Sequence, residues 1–294
     1  MILVAGGTGT LGRYLVPLLI TCAHQVRVLT RDERRADHLR AGGAETVIGD
    51  VRDQAAVAQA TRDCTTVVSA VHGFAGPGRA SPASIDCDGN RTLIRGAADA
   101  GVARFVLVSV LGAAPDHPMT LHRMKYAAEQ TLNGSGLDWT IIRPAAFLET
   151  WIELIGGRLA DTGQAIVFGP GNNPVNFVSV RDVATVIERS LSGTVSYGQT
   201  IDVSGPENLT FNQIAERLVA AGGSPGRTKH IPLGLLRVMS VLARPVSPGF
   251  ARQARAAVVM NTNDMTSGRH NTPGDPPPTT LDDVLRGLVK PPAG

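Results

Sequence analysis

Short apolar runs alternate with amphipathic stretches through the first half of the chain. MILVA, HQVRVLT, AETVIGD, CTTVVSAV, RFVLVSV and LDWTIIRP have the length and β-branched content of buried strands. Between them, RYLVPLLITC, DERRADHLRAGG, RDQAAVAQATRD, SPASIDCDGNRTLIRGAADAG and PMTLHRMKYAAEQTLNGSG read as helices. Pro17 falls inside the first helix and predicts a kink near Arg13 to Pro17. The fourth helix is long, with Pro82 near its start and Gly101 at its end. Such alternation predicts an α/β fold, a doubly wound parallel sheet with its ligand crevice beyond the carboxyl ends of the strands.

After Pro144 the rhythm loosens. FLETWIELIGG, RDVATVIERSLSG and TFNQIAERLVAAGG read as helices, and QAIVFG, VNFVSV and GQTIDVSG as strands. Apolar helices follow from about Leu233 to Val259, then a Pro/Gly loop and a last short helix within HNTPGDPPPTTLDDVLRG. The division expected is a nucleotide-binding domain over 1–150 and a smaller C-terminal α/β lobe over 151–294. The lobe is interleaved with the first domain, covers the crevice and contributes substrate or partner contacts. No internal repeat is present.

A net charge of +3 over 294 residues argues against a dedicated nucleic-acid binder. The densest charge cluster, RDERRADHLR, mixes signs and reads as a solvated helix face. Cys22, Cys64 and Cys87 show no metal-ligand spacing, so no metal site is expected and the thiols fit a reducing cytosol. The N-terminus lacks the basic and cleavage regions of a signal peptide. IPLGLLRVMSVLARPV is interrupted by Arg237 and Arg244 and is too short to span a bilayer. A cytoplasmic protein without an integral membrane segment is expected.

The first strand runs directly into GGTGTLG. Gly7, Gly9 and Gly12 make GxGxxG, and Gly6, Gly9 and Gly12 make GxxGxxG. Strand, glycine turn and helix are the setting that a dinucleotide requires. Glycine lets backbone N–H groups approach a pyrophosphate, and the helix N-terminus turns its unpaired donors and positive dipole end toward it. Thr30 and Arg31 end the second strand, with Arg34 and Arg35 a turn later. A guanidinium forks onto a phosphate, so this arrangement favours NADP(H). Asp32 leaves NAD(H) open, and the arginines otherwise solvate a helix start. Asp50 and Val51 follow the third strand, where the acid either bonds an adenine or starts a helix. Ala70 and Val71 end the fourth strand and line the central stretch of the cofactor, with His72 beyond them as a substrate-pocket candidate.

GGTGTLG, TRDERR, GDVRD, VLVSVLGA, KYAAEQTLNGSGLDWTIIRPAAF, FVSVRDVA and IDVSGPENLTFNQIAERL together resemble the atypical short-chain dehydrogenase/reductases, in particular the NmrA-like NAD(P)H-binding branch. The resemblance covers roughly residues 1 to 220. It implies a Rossmann-like fold with a smaller C-terminal region. It implies pyrophosphate contacts from Gly6, Thr8, Gly9, Thr10 and Leu11, a 2′-phosphate contact from Arg31, and adenine contacts from Asp50 and Val51. Pro144 to Phe147 would pass beside the nicotinamide.

Active members carry Tyr-x-x-x-Lys on a helix, one face presenting both groups. Here Lys125 matches the lysine, but Leu121 stands where the tyrosine should be. Tyr126 points about 100° around the helix from Lys125. His122 is three residues before Lys125 and is either a catalytic acid or a surface histidine. Lys125 itself is either a cofactor ligand or a surface lysine. Ser109 is either the family's catalytic serine or a strand-end serine bonding backbone. Asp182 reads as a helix cap. Quinone-like and other conjugated acceptors need a positioned acid less than a simple ketone does. The leading expectation is therefore an NAD(P)H-dependent oxidoreductase passing hydride to such an acceptor. The alternatives are a non-catalytic NADP(H)-binding redox sensor with a protein partner, and an isomerase or dehydratase on a nucleotide-sugar.

Overall fold

The structure is a computed structural model of the chain. It describes every residue except 75, 77–79, 193–196, 223–225, 269–276 and 290–294, and leaves the side chains of 288 and 289 undescribed. The chain forms two compact units, residues 1–144 with 183–203 and residues 145–182 with 204–294.

The first unit opens with β1 (Ile2–Ala5), α1 (Gly12–Thr21), β2 (Val26–Thr30), α2 (Glu33–Ala41), β3 (Glu45–Ile48), α3 (Gln54–Thr61) and β4 (Thr66–Ser69). A π-helical segment (Pro82–Gly89) runs directly into α4 (Asn90–Asp99), followed by β5 (Arg104–Val108), α5 (Thr120–Asn133) and β6 (Asp138–Pro144). The chain then forms β7 (Ala146–Phe147), α6 (Leu148–Gly156), α7 (Leu159–Thr162), β8 (Gln164–Phe168), β9 (Val175–Val178), α8 (Val180–Leu191) and β10 (Gln199–Val203). It ends with β11 (Glu207–Leu209), α9 (Phe211–Ala221), β12 (Arg227–Ile231), α10 (Leu233–Leu242), α11 (Pro248–Thr262) and α12 (Leu281–Val289).

Seven strands make one parallel sheet in the order β10-β6-β5-β4-β1-β2-β3. The strand order reverses between β1 and β4, and there a doubly wound sheet opens its crevice. β1 is buried along its whole length, as a central parallel strand must be. Leu3, Val67, Phe105, Leu107 and Ile141 form the core beneath α3, α4 and α5. Strand β10, which the expected division assigned to the lobe, pairs with β6 and closes one edge of the main sheet.

α1 is continuous from Gly12 to Thr21 despite Pro17. Pro17 and Arg13, the residue whose carbonyl loses its donor, are both exposed, so water is at hand to replace the missing bond. The long helix expected from Ser81 to Gly101 is corrected in its first half, which is π-helical. Ser81 and Ser84 close a capping box at its start. The wider turn is held from outside: buried Asp86 accepts from Gly73 N–H at 2.9 Å, and Asn90 bonds both Ser69 and the Asp86 carbonyl.

In the second unit, β11-β9-β7 and β12-β8 form two small sheets. Trp151, Phe177 and Phe211 cluster in its core; Trp151 stacks on Phe211 with ring centres 4.8 Å apart and meets Phe177 edge-on. β7, α7, β11 and β12 are too short or too polar to have been read from the pattern. Asp182 stands in the first turn of α8 and accepts from Thr279 N–H and Oγ1, ahead of α12. Most of the expected Pro/Gly loop, residues 270–276, lies outside the described residues. No helix of the described residues is long and apolar enough to cross a membrane.

Candidate functional site

The glycine loop leaves β1 at the switch point. Gly6 has φ +92, and a Cβ there would stand 2.5 Å from the Ala70 carbonyl oxygen at the end of β4. A Cβ on Gly12 would stand 2.4 Å from the backbone of Gly7. These two glycines let the loop fold flat between helix and sheet. Gly9 differs: it is exposed, and a Cβ on it would meet only the Gly6 carbonyl at 3.3 Å. Gly9 N–H bonds that carbonyl, and Arg13 N–H bonds the Gly9 carbonyl. The N–H groups at the start of α1, on Thr10, Leu11 and Gly12, have no acceptor inside the helix, the arrangement that receives an anion. Thr8 and Thr10 are half-buried on the same loop, and Leu11 is buried. A pyrophosphate fits this cradle on the loop's own geometry. Another concavity, lined by Met1, His24, Gln25, Thr65 and Arg104, lies at the amino ends of the strands and is remote from it.

Arg31 follows β2 with its side chain 59% exposed and its guanidinium 3.8 Å from Asp50. Asp50 is held more tightly by Arg52, which donates from Nε at 2.8 Å, from Nη2 at 2.7 Å and from its backbone at 2.9 Å. The Arg52 guanidinium keeps the Asp50 carboxyl below the usual carboxylate range. Asp32 caps α2 and pairs with Arg35. Of these groups Arg31 is the cation least committed to a protein partner. Val51 is buried in the core, and a Cβ on Gly89, the last residue of the π-helical segment, would meet its side chain at 2.8 Å.

Lys125 is not a surface lysine. It is 3% exposed. Its Nζ donates to the Val71 carbonyl and to the Val108 carbonyl, each at 2.8 Å, and lies 3.1 Å from Asp86 Oδ1. Two carbonyls accept hydrogen bonds from the ammonium, and the Asp86 carboxylate pairs with it by charge. The lysine thus ties the ends of β4 and β5 to the π-helical segment, with the Ala70–Val71 edge beside the glycine loop. His72 comes next, half-exposed, with Nδ1 4.0 Å from Asp86.

Ser109 and His122 also turn inward. Ser109 Oγ donates to Glu129 at 2.5 Å, and buried Glu129 accepts a two-pronged bond from Arg143 at 2.9 and 2.6 Å. The Glu129 carboxylate holds the Arg143 guanidinium above its ordinary range. His122 is 3% exposed and stacks on His117 with ring centres 3.8 Å apart. Burial, and then the neighbouring His117, push its pKa down to about 3. The ring is therefore neutral at physiological pH. Leu121 and Tyr126 are half-buried. Pro144 ends the first segment of the first unit and accepts from Leu111 N–H; Phe147 belongs to the second unit and is half-buried. Cys64 and Cys87 are buried free thiols, Cys22 is an exposed one, and no metal-binding cluster occurs among the described residues.

The neutral His122 gives the protein a specific acid sensitivity. The unfolded chain binds a proton at this position near pH 6.5, whereas the folded one resists to about 3. Stability is full above the first value and is lost as pH falls toward the second. Between pH 7 and 5 the loss from this group is about 2 kcal/mol. Urea unfolding at both pH values should show His122→Phe losing about 2 kcal/mol less than the parent protein; equal losses would contradict a neutral buried ring.

The partners Asp86, Glu129, Asn90, Arg52 and Arg143 did not emerge from the sequence. Glu129 alone carried a signal, its spacing of one helical turn beyond Lys125.

A parallel sheet with a glycine cradle at its switch point defines a nucleotide-binding α/β domain. Residues 6–193 match the model of an NAD(P)H-binding family. The chain belongs to that family, among the NmrA-like atypical short-chain dehydrogenase/reductases. It is 32% identical to an NAD(P)H azoreductase of Xenophilus azovorans over 79% of this chain and 78% of the relative. It is 29% identical to the photosystem II assembly factor Ycf39 of Synechocystis over 83% of this chain and 74% of the relative. The crystal structure of an Escherichia coli NADPH-dependent quinone oxidoreductase in complex with NADPH superposes with a TM-score of 0.77, covering 99% of this chain and 100% of that one, at 21% identity. That likeness is one of fold.

Proposed function

We propose that the protein is an NADPH-dependent oxidoreductase whose acceptor is a quinone-like or otherwise conjugated molecule. The supporting observation is the inward turn of every polar group that the reductase motif would use as a proton donor. Leu121 replaces the tyrosine, Ser109 is committed to Glu129, Lys125 to two carbonyls and the Asp86 carboxylate, and His122 is neutral and buried. A simple ketone needs a donor for its developing alkoxide. A conjugated acceptor spreads its charge and takes the proton from water. The azoreductase relative agrees with this class of acceptor.

Bound NADPH supplies the hydride, and the protein supplies position and electrostatics. Gly6, Thr8, Gly9, Thr10, Leu11 and Gly12 hold the pyrophosphate, and Arg31 the 2′-phosphate. Asp50 and Val51 flank the adenine, with Arg52 fixing the Asp50 carboxylate. Ala70 and Val71 line the cofactor's central stretch. Lys125 positions that edge from beneath.

Arg31→Ala should weaken NADPH binding roughly ten- to hundredfold, the range of a charge-assisted bond, and leave NADH binding unchanged. Unchanged NADPH affinity in a titration would remove Arg31 from the 2′-phosphate site. The reaction itself is tested by NADPH oxidation across quinones, flavins and simple carbonyls, with NADPH binding titrated on the same sample. Turnover of conjugated acceptors and not of simple ketones is the expected result. Tight binding without turnover of any acceptor would replace this reading with a non-catalytic NADP(H)-binding regulator acting on a protein partner. That second reading draws on the same inward-turned side chains and on the assembly-factor relative.

A further inference from the structure

Helix α10 is apolar on both sides. Its inner side rests on α11 through Leu236, which packs with Ala254 and Ala257. Its outer side carries Leu235, Val238, Val241 and Leu242, and Leu242 is 70% exposed. Val246, just beyond the helix, is 88% exposed. A surface helix ordinarily turns charged and polar residues outward. Here the sole charged residue of the helix is Arg237, at the edge of the outer side, and exposed Arg244 follows it.

The sequence on either side of α10 carries charge of one sign. Between Glu216 and Asp264 the sequence contains no acidic residue, and Arg227, Lys229, Arg237 and Arg244 lie in or beside α10 along that stretch. Arg227 and Lys229 are exposed on β12, immediately before α10. We propose that this face of the second unit docks on an anionic lipid surface, aliphatic side chains entering the headgroup boundary and arginines meeting lipid phosphates. The combination of an exposed apolar face with flanking cations is that of an interfacial helix.

Charge and chemistry select this occupant over others. A second copy joined by a two-fold axis would set the same patch against itself and bring Arg237 and Arg244 toward their own counterparts. A protein partner would use directional hydrogen bonds. The outer side of α10 offers aliphatic surface and one guanidinium. A lipid boundary needs neither shape nor direction, only apolar depth and negative charge. The proposal is independent of the reaction proposed above.

The test is co-sedimentation of the full chain with vesicles of phosphatidylcholine alone and of phosphatidylcholine with about one third phosphatidylglycerol. Binding to the anionic vesicles at least about tenfold stronger than to the neutral ones is expected, with release at about 0.5 M salt. Leu242→Glu combined with Val246→Glu should lower that binding by at least about tenfold while far-ultraviolet circular dichroism and NADPH affinity stay unchanged. No preference for anionic vesicles would overturn the proposal. So would anionic binding that survives the double substitution, because the contact would then lie elsewhere. A dimer in sedimentation equilibrium, dissolved by the double substitution and without lipid binding, would assign the face to a second copy.

Discussion

Lys125→Met is expected to destabilise the first unit by about 3–5 kcal/mol, the cost of leaving one member of a buried ion pair alone. Asp86 is 0% exposed and, with the ammonium gone, keeps the Gly73 N–H and loses its counter-charge. The carbonyls of Val71 and Val108 lose their donor at the same time. Asp86→Asn should be costly for the converse reason, a buried ammonium without its carboxylate. The double variant Lys125→Met, Asp86→Asn should be more stable than the lysine single variant, since it removes both charges together. Urea unfolding of the four proteins checks this. Additive losses would mean that the two groups do not interact. NADPH affinity of the double variant then reads the lysine's effect on the cofactor edge apart from its effect on folding.

Gly12→Val carries the second large effect. Its Cβ would sit 2.4 Å from the Gly7 carbonyl carbon and oxygen, which are backbone atoms with nowhere to retreat. The loop must lift from α1, at a cost of about 3 kcal/mol for overpacking. NADPH affinity should fall more than about hundredfold, because the helix-start N–H groups proposed to hold the phosphate move with the loop. Gly9→Ala is the informative comparison. Gly9 is exposed, and its added methyl meets one carbonyl at 3.3 Å. That substitution should leave the melting temperature nearly unchanged and still weaken NADPH, since the methyl would stand on the turn proposed to hold the phosphate. Gly9→Ala with unaltered NADPH affinity would move the phosphate away from this turn.

The site was legible in part. Strand, glycine turn and helix are local, so GGTGTLG could be placed at the end of β1 and its role proposed from spacing. Arg31 was placed in the same way, at the end of β2, and its 2′-phosphate contact is proposed from that position. The side chains of α5 were harder. His122, Lys125 and Glu129 lie along one buried face, yet all three are polar and interrupt the apolar periodicity that marks an inner face. The lysine therefore read as a cofactor ligand or a surface cation, and the histidine as an acid or a surface ring. Their environments come from elsewhere in the chain: Asp86 from the π-helical segment, Val71 and Val108 from two strand ends, Arg143 from β6.

By itself the sequence determined the β–α alternation, the parallel sheet, the glycine turn after its first strand and the missing tyrosine at Leu121. These depend on local periodicity and on glycine's backbone freedom, which neighbours in sequence suffice to specify. Only the tertiary structure decided that Lys125, Ser109 and His122 face inward, that residues 82–89 widen into a π-helix and that β10 joins the main sheet. It also decided that the apolar side of α10 opposite Leu236 is left exposed. Each of these outcomes turns on which distant groups are brought within bonding distance. A buried charge takes its direction from its partner, and the partner's position is a property of the fold.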